Sequence, residues 1–180
     1  MSAARPAAFL DRDGVLNVDH GYVYRLDALA LIPGAAEAVR LLNEAGYLVI
    51  VVTNQSGVAR GFYGEDDVAR FNAALAQRLG AEGARIDAFY HCPHHPQGTV
   101  ARYAIACDCR KPKPGLLEQA ARDFSIDRAR SFLIGDRDGD SEAAAAFGIR
   151  GIRFDEKTQS LVEVVRAALG AARASDPQLR

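Results

Sequence analysis

Phe9-Leu10-Asp11-Arg12-Asp13-Gly14-Val15-Leu16-Asn17 is the stretch on which the reading of this chain turns. Its apolar lead-in, Ala7-Ala8-Phe9-Leu10, has the length of a fully buried strand. The strand runs into two carboxylates one residue apart, and Gly14 then permits a sharp turn. Open α/β sheets place their chemistry where buried strands end. In a continued strand Asp11 and Asp13 would share a face. A turn from Arg12 would let them diverge and divide two tasks, one as nucleophile or metal ligand and the other as proton carrier. Alone, Asp-x-Asp-Gly is also an ordinary polar strand end, so the decision rests on the rest of the chain.

Outward from this stretch, strand and helix alternate. Tyr47–Val52, Ile86–Tyr90, Ser131–Ile134 and Ile149–Phe154 are further short apolar runs, the last weakened by Gly151. Pro33-Gly34 opens a helix carrying Ala36, Val39 and Leu42, which Gly46 stops. A second helix has Asp66 and Asp67 near its start and Val68, Phe71, Leu75 and Leu79 on one face. A third carries Leu117, Ala121 and Phe124, and a fourth runs from Ser141 to Phe147, closed by Gly148. Ser160 and Glu163 form a capping box for a last helix, Leu161 to Ala172, and the tail 175–180 is expected to be flexible. The alternation predicts a three-layer, doubly wound (Rossmann-like) parallel sheet with helices on both faces. The 180 residues fit one domain, 1–180.

A formal net charge of −1 offers no basic field for nucleic acid or a membrane surface. No apolar run approaches the roughly 20 residues that span a bilayer. Met1 to Ala8 is too short for a signal peptide ahead of the first strand, so a cytoplasmic protein is expected. The three cysteines, Cys92, Cys107 and Cys109, all fall in one short window. An odd, clustered set argues for a metal in a reducing compartment over a disulfide framework.

Four strand ends carry polar sets: Asp11/Asp13, Thr53/Asn54, Arg110/Lys111 beyond the third strand and its loop, and Asp136/Asp140. In a parallel sheet they converge on one edge. Acids there suit Mg²⁺, a hard cation that takes oxygen ligands. A threonine hydroxyl, loop amides and a lysine suit phosphate oxygens. Together they point to phosphoryl transfer. With no Ser-His or Cys-His pair evident, a carboxylate nucleophile forming an aspartyl-phosphate is the simplest mechanism.

Asp11-x-Asp13-Gly-Val, Thr53-Asn54, Lys111 and Gly135-Asp136-x-x-x-Asp140 resemble, in order and context, the four motifs of the haloacid-dehalogenase superfamily of phosphohydrolases. The likeness covers roughly Ala7 to Phe154. It implies Asp11 as nucleophile, Asp13 as general acid/base, and Thr53 and Lys111 as the groups holding the phosphoryl group. It also implies Mg²⁺ on Asp11, the Asp13 backbone carbonyl and Asp136. Asp140 matches a motif acid with two open roles, outer support of the metal or cap of the next helix.

The loop 91–110 lacks any periodicity, and a loop that long needs something to hold it. Cys92, His94, Cys107 and Cys109 can form a closed Cys₃His site, the composition of structural zinc. His91 and His95 compete with His94, but the Cys-x-His bite mirrored by Cys-x-Cys, and Pro93 between its members, favour His94. Such a loop resembles a small-cap branch of the same superfamily, whose members act on heptose bisphosphate or on histidinol phosphate. The heptose members are the nearer likeness, through Asp19-His20-Gly21-Tyr22, Thr53 to Gly57, and Cys107 to Pro112. This implies substrate contacts at Asp19, His20, Gly21, Tyr22, Asn54, Gln55, Ser56, Arg110 and Arg137. It implies action on the C7 phosphate of a sugar bisphosphate for lipopolysaccharide or S-layer sugars. A monomer is the default expectation for so short a cap, and the charge leaves neither nucleic acid nor membrane as an expected partner. Arg137 stands where that branch often carries lysine, keeping the charge with a different geometry. Histidinol phosphate is the alternative substrate, and a non-catalytic zinc-containing binding module the alternative from another class. Arg60 reads as a solvated loop charge, Tyr22 and Tyr24 equally as loop packing, and Arg12 as a salt-bridge partner.

Overall fold

Five apolar runs pair, all in parallel, into one sheet of order β3-β2-β1-β4-β5. The strands are β1 (Ala7–Leu10), β2 (Leu48–Asn54), β3 (Ala88–Cys92), β4 (Phe132–Gly135) and β5 (Arg150–Arg153). The helices are α1 (Ala35–Glu44), α2 (Glu65–Ala81), α3 (Gly115–Asp123), α4 (Asp138–Phe147) and α5 (Leu161–Ala174). The structure is a computed structural model and describes residues 3–174. The tail expected to be flexible lies outside them.

Every β1 residue is buried, and alternation along it feeds two cores. Ala8 and Leu10 face α1, α2 and α5, while Ala7 and Phe9 face α3 and α4. The three layers expected from the sequence follow. A small third cluster gathers Val58, Tyr63 and Val68, with Tyr24 and Tyr103 packed against it. The strand order reverses direction between β1 and β4, which makes their carboxyl ends the switch point where open sheets bind ligands.

Several boundaries move, each for a local reason. The third strand begins at Ala88, two residues later than its apolar run, because Asp87 occupies the step before it. Its carboxylate accepts the Val49 N–H at 2.8 Å, and its own N–H donates to Val49 O. The shift draws His91 and Cys92 out of the expected loop into β3. Helix α4 begins at Asp138 and not Ser141, because Asp140 accepts the Arg137 N–H at 3.1 Å and winds the first turn. In β5, Gly151 is a packing requirement: a Cβ there would lie 2.8 Å from Ser141 Cα.

Candidate active site

Beyond β1 the chain stays tied to β4 through the Asp11 N–H, which donates to Ile134 O at 3.0 Å. The Arg12 carbonyl then accepts from Leu16 (2.9 Å) and Asn17 (3.2 Å), closing a tight turn. Gly14 sits at φ +82°, and a Cβ there would come 2.7 Å from Asp136 Oδ2, so no other residue fits. The turn separates the two acids. Asp11 Oδ1 meets its neighbour's N–H (2.7 Å) and Lys111 Nζ (3.1 Å). Asp13 receives Arg12 Nε (3.1 Å) and Nη2 (3.0 Å), Asn17 Nδ2 (2.9 Å) and Gln55 Nε2 (2.9 Å).

Arg12 is fully buried, bonded also to Val23 O (2.7 Å) and Asn72 Oδ1 (3.2 Å), with its guanidinium 4.4 Å from the Phe71 ring centre. The expected salt bridge is thus a buried strut under Asp13. Removing one member of such a pair costs roughly 3–5 kcal/mol, because the remaining polar groups lose their partner. Asp13 keeps some solvent contact, so the low end applies. Arg12→Leu is expected to lower unfolding stability by about 3 kcal/mol, read as a shift in the denaturant midpoint. An unchanged midpoint would contradict the strut.

Lys111 is buried and donates to Val52 O (2.8 Å) while contacting Asp11 and, at 2.6 Å, Asp140. Asp140 therefore does two things at once: it caps α4 and pairs with the lysine. Gly135 makes the approach possible, since a Cβ there would fall 2.2 Å from Asp140 Cγ. Asn54 pins Lys111 from the side: its Nδ2 donates to the Lys111 carbonyl and its Oδ1 accepts from the Lys111 N–H, both at 3.1 Å. Gln55 also donates to Thr53 Oγ1 (2.9 Å) and accepts from Tyr63 OH (2.7 Å). Asn54 and Gln55, expected at the substrate, line the cavity with amides that also brace Lys111, Asp13 and Thr53.

These residues surround a cavity of about 470 Å³. All the expected catalytic and substrate residues line it except His20, which is exposed. Arg60, Tyr63 and His95 line it too. Arg60 is half-buried, not a solvated loop charge, and His95 turns to the cavity while its neighbour His94 turns away.

One oxygen each of Asp11, Asp136 and Asp140 lie within 4.8 Å of one another. Burial, above all, pushes the Asp11 carboxyl up to about 7; Lys111 opposes this, and Asp140, Asp13 and Asp136 add to it. Asp136 is raised too, chiefly by burial, and its Oδ1 is buried without a hydrogen-bond partner. Hard oxygens crowded together, one of them orphaned, fit a divalent cation such as Mg²⁺.

The second cluster is separate. Cys92 Sγ lies 3.0 Å from Cys109 Sγ and 3.5 Å from Cys107 Sγ, and His94 Nδ1 lies 3.3 Å from Cys109 Sγ. All three cysteines are free thiols. Its hydrogen bond with Cys92, above all, holds the Cys109 thiol down at about 5. Three sulfurs and an imidazole nitrogen so placed match a closed tetrahedral zinc set. Of the rival histidines, His91 pairs instead with Glu65 (3.0 Å).

The model of the haloacid dehalogenase-like hydrolases matches residues 3–148. The chain belongs to that family. It is 48% identical over 171 residues to the D-glycero-β-D-manno-heptose-1,7-bisphosphate 7-phosphatase of Rhodopseudomonas palustris, covering 92% of this chain and 95% of the relative. The crystal structure of D,D-heptose 1,7-bisphosphate phosphatase from B. bronchiseptica, complexed with magnesium and phosphate, superposes with a TM-score of 0.76 at 28% identity. That match covers 92% of this chain and 99% of the other. A Mesorhizobium loti protein assigned as a HAD-like phosphatase gives 0.84 at 33% identity, over 95% and 88%. This hydrolase is accordingly a phosphoric monoester hydrolase. No helix among its described residues is long and apolar enough to cross a membrane.

Proposed function

We propose that this hydrolase removes the C7 phosphate of D-glycero-β-D-manno-heptose 1,7-bisphosphate, on the route to nucleotide-activated heptose. The observation that carries the substrate is the near full-length likeness to the Rhodopseudomonas enzyme. Asp11 attacks phosphorus as the C7–O–P ester bond breaks, and Asp13 gives its proton to the departing sugar oxygen. Asp13 then takes a proton from the water that attacks the aspartyl-phosphate, releasing inorganic phosphate and restoring Asp11. Thr53 and Lys111 hold the phosphoryl oxygens, and Lys111 balances negative charge as it passes to Asp11. Asp11, the Asp13 carbonyl and Asp136 would hold Mg²⁺, which supplies positive charge beside the reacting oxygens. Asp19 to Tyr22, Ser56, Arg110 and Arg137 contact the sugar and its other phosphate.

A phosphate-release panel over sugar monophosphates, sugar bisphosphates and histidinol phosphate tests the substrate. The heptose bisphosphate is expected to lead in kcat/KM. A lead of tenfold or more for histidinol phosphate would overturn the assignment.

Cys92, His94, Cys107 and Cys109 hold a structural Zn²⁺ in this reading, with no open position for catalysis. Because metal binding is coupled to ordering the loop, Cys107→Ser or Cys109→Ser is expected to lose zinc and lower the melting temperature by several degrees. Purified wild type with no zinc by elemental analysis, never exposed to chelator, refutes the zinc assignment.

A further inference from the structure

The charges lining the cavity are not evenly matched. On the acid side, Lys111 pairs with Asp11 and Asp140, and Arg137 with Asp19 (3.0 Å) and Asp136 (3.8 Å). Arg60, Arg110 and His95 occupy the other side. Among the described residues, neither Arg60 nor Arg110 lies within salt-bridge distance of a carboxylate. Arg60 Nε and Arg110 Nη1 are both buried without a hydrogen-bond partner. Among the described residues, the side-chain hydrogen bond of the Arg60 guanidinium is with His95, Nη2 to Nε2 at 3.4 Å. Both side chains line the cavity, and guanidinium groups with unpartnered buried N–H groups are costly to the protein alone and suited to an incoming anion.

The position of Arg60 is built. The zinc loop folds onto its turn: Thr99 and Val100 donate their N–H groups to Ala59 O at 2.8 and 2.9 Å, and Thr99 Oγ1 donates to Arg60 O at 3.0 Å. Gly98 permits this, since a Cβ there would meet Ala59 O at 2.6 Å. From the other side the Arg60 N–H donates to Ser56 O (3.0 Å), in the loop that follows Thr53. The backbone carrying Arg60 is therefore fixed between the phosphate-holding loop and the zinc loop. The phosphoryl group that reacts already has Thr53 and Lys111, and a third anchor at that point is not needed.

We propose that Arg60 is a specificity-determining residue which, beside Arg110, binds the second phosphate group of the substrate and makes this enzyme select a bisphosphate over a monophosphate. The inference rests on the sugar-bisphosphate reading above and adds a determinant to it. A planar guanidinium can donate two parallel N–H groups to one phosphate, which a lysine cannot reproduce.

The test compares kcat/KM for the heptose 1,7-bisphosphate with that for the heptose 7-phosphate, in wild type, Arg60→Ala and Arg60→Lys. Wild type is expected to prefer the bisphosphate. Arg60→Ala should shrink that preference by about 10- to 100-fold, the size of one or two charge-assisted hydrogen bonds. The loss should fall on KM for the bisphosphate far more than on kcat. Arg60→Lys should recover only part of it. A preference unchanged in Arg60→Ala, or equal losses on both substrates, overturns the role of Arg60 and leaves the substrate reading standing. No preference in wild type overturns the substrate reading itself. Zinc content and melting temperature, measured on the same samples, separate a misfolded variant from a selective one, and Arg60→Lys decides if Arg60→Ala does not fold.

Discussion

Asp11→Asn is expected to abolish phosphate release, by roughly 10⁴-fold or more, as removal of a covalent nucleophile does, while making the cation-free protein more stable. The two effects share a cause. Asp11 is held where its ionised form is disfavoured: burial and three neighbouring acids outweigh Lys111, and the carboxyl rises from 3.8 to about 7. A raised carboxyl binds its proton more tightly in the folded than in the unfolded chain. Without a divalent cation, its contribution to wild-type stability is therefore fully present below about pH 4 and is lost as pH rises through about 7. At 1.36 kcal/mol per pKa unit the loss is at most about 4 kcal/mol. The amide carries no charge, can keep the bond from the Arg12 N–H, and escapes that loss. Melting temperatures at pH 4 and pH 8, without added Mg²⁺, should lie close together at the lower value and separate at the higher, with the variant above. Added Mg²⁺ should stabilise wild type more than the variant. Wild-type turnover in Asp11→Asn would sink the covalent mechanism, and equal melting temperatures at pH 8 would sink the electrostatic account.

What the sequence disclosed follows from how local each feature is. Strand β1 appears with the bounds its apolar run predicts, Ala7 to Leu10, because a strand buried on both faces leaves no position for a polar residue. The clustering of Cys92, His94, Cys107 and Cys109 was legible from spacing, since two Cys-x-ligand bites fix which side chains meet, and His94 over His95 followed from that pattern. Asp140 was ambiguous for a physical reason: one oxygen caps α4, which is one of the two expected roles, while the other reaches Lys111, a contact neither expectation named. The bounds of β3 were misplaced because Asp87 mimics a ladder partner with its side chain, which no hydrophobic pattern records. Arg60, Tyr63 and His95 were missed for another reason. They reach the cavity only because the segment 56–63 folds against the loop that carries the cysteines, residues far along the chain with no periodicity to announce the contact. An arginine followed by glycine, one loop beyond the Thr53-Asn54 motif, was the only available signal, and it is a common one.

Asp13→Asn is expected to slow turnover of the native substrate by roughly 10⁴-fold, the upper end of what general acid–base catalysis contributes. A sugar alkoxide is a poor leaving group, so a proton withheld at that oxygen is felt in full. The structure also warns of a competing explanation. Each Asp13 oxygen accepts two N–H groups, Oδ1 from Arg12 Nε and Asn17 Nδ2, Oδ2 from Arg12 Nη2 and Gln55 Nε2. In either orientation the amide of an asparagine turns its NH₂ toward two donors. The variant will therefore lose hydrogen bonds as well as its proton, and a displaced side chain could slow the reaction by itself. The leaving group separates the two causes. A nitrophenyl phosphate departs as a stable phenolate and needs no proton, so the first half-reaction should run near wild-type speed if only the acid is missing. The second half-reaction still needs a base to take the proton of the attacking water. The variant should then release about one equivalent of nitrophenolate per enzyme in a rapid burst and stall with Asp11 phosphorylated. Rapid-mixing absorbance and the intact mass of the stalled protein read both events. A slow first turnover on the activated substrate, matching the loss on the sugar phosphate, would show that Asp13 positions the site and does not carry the proton.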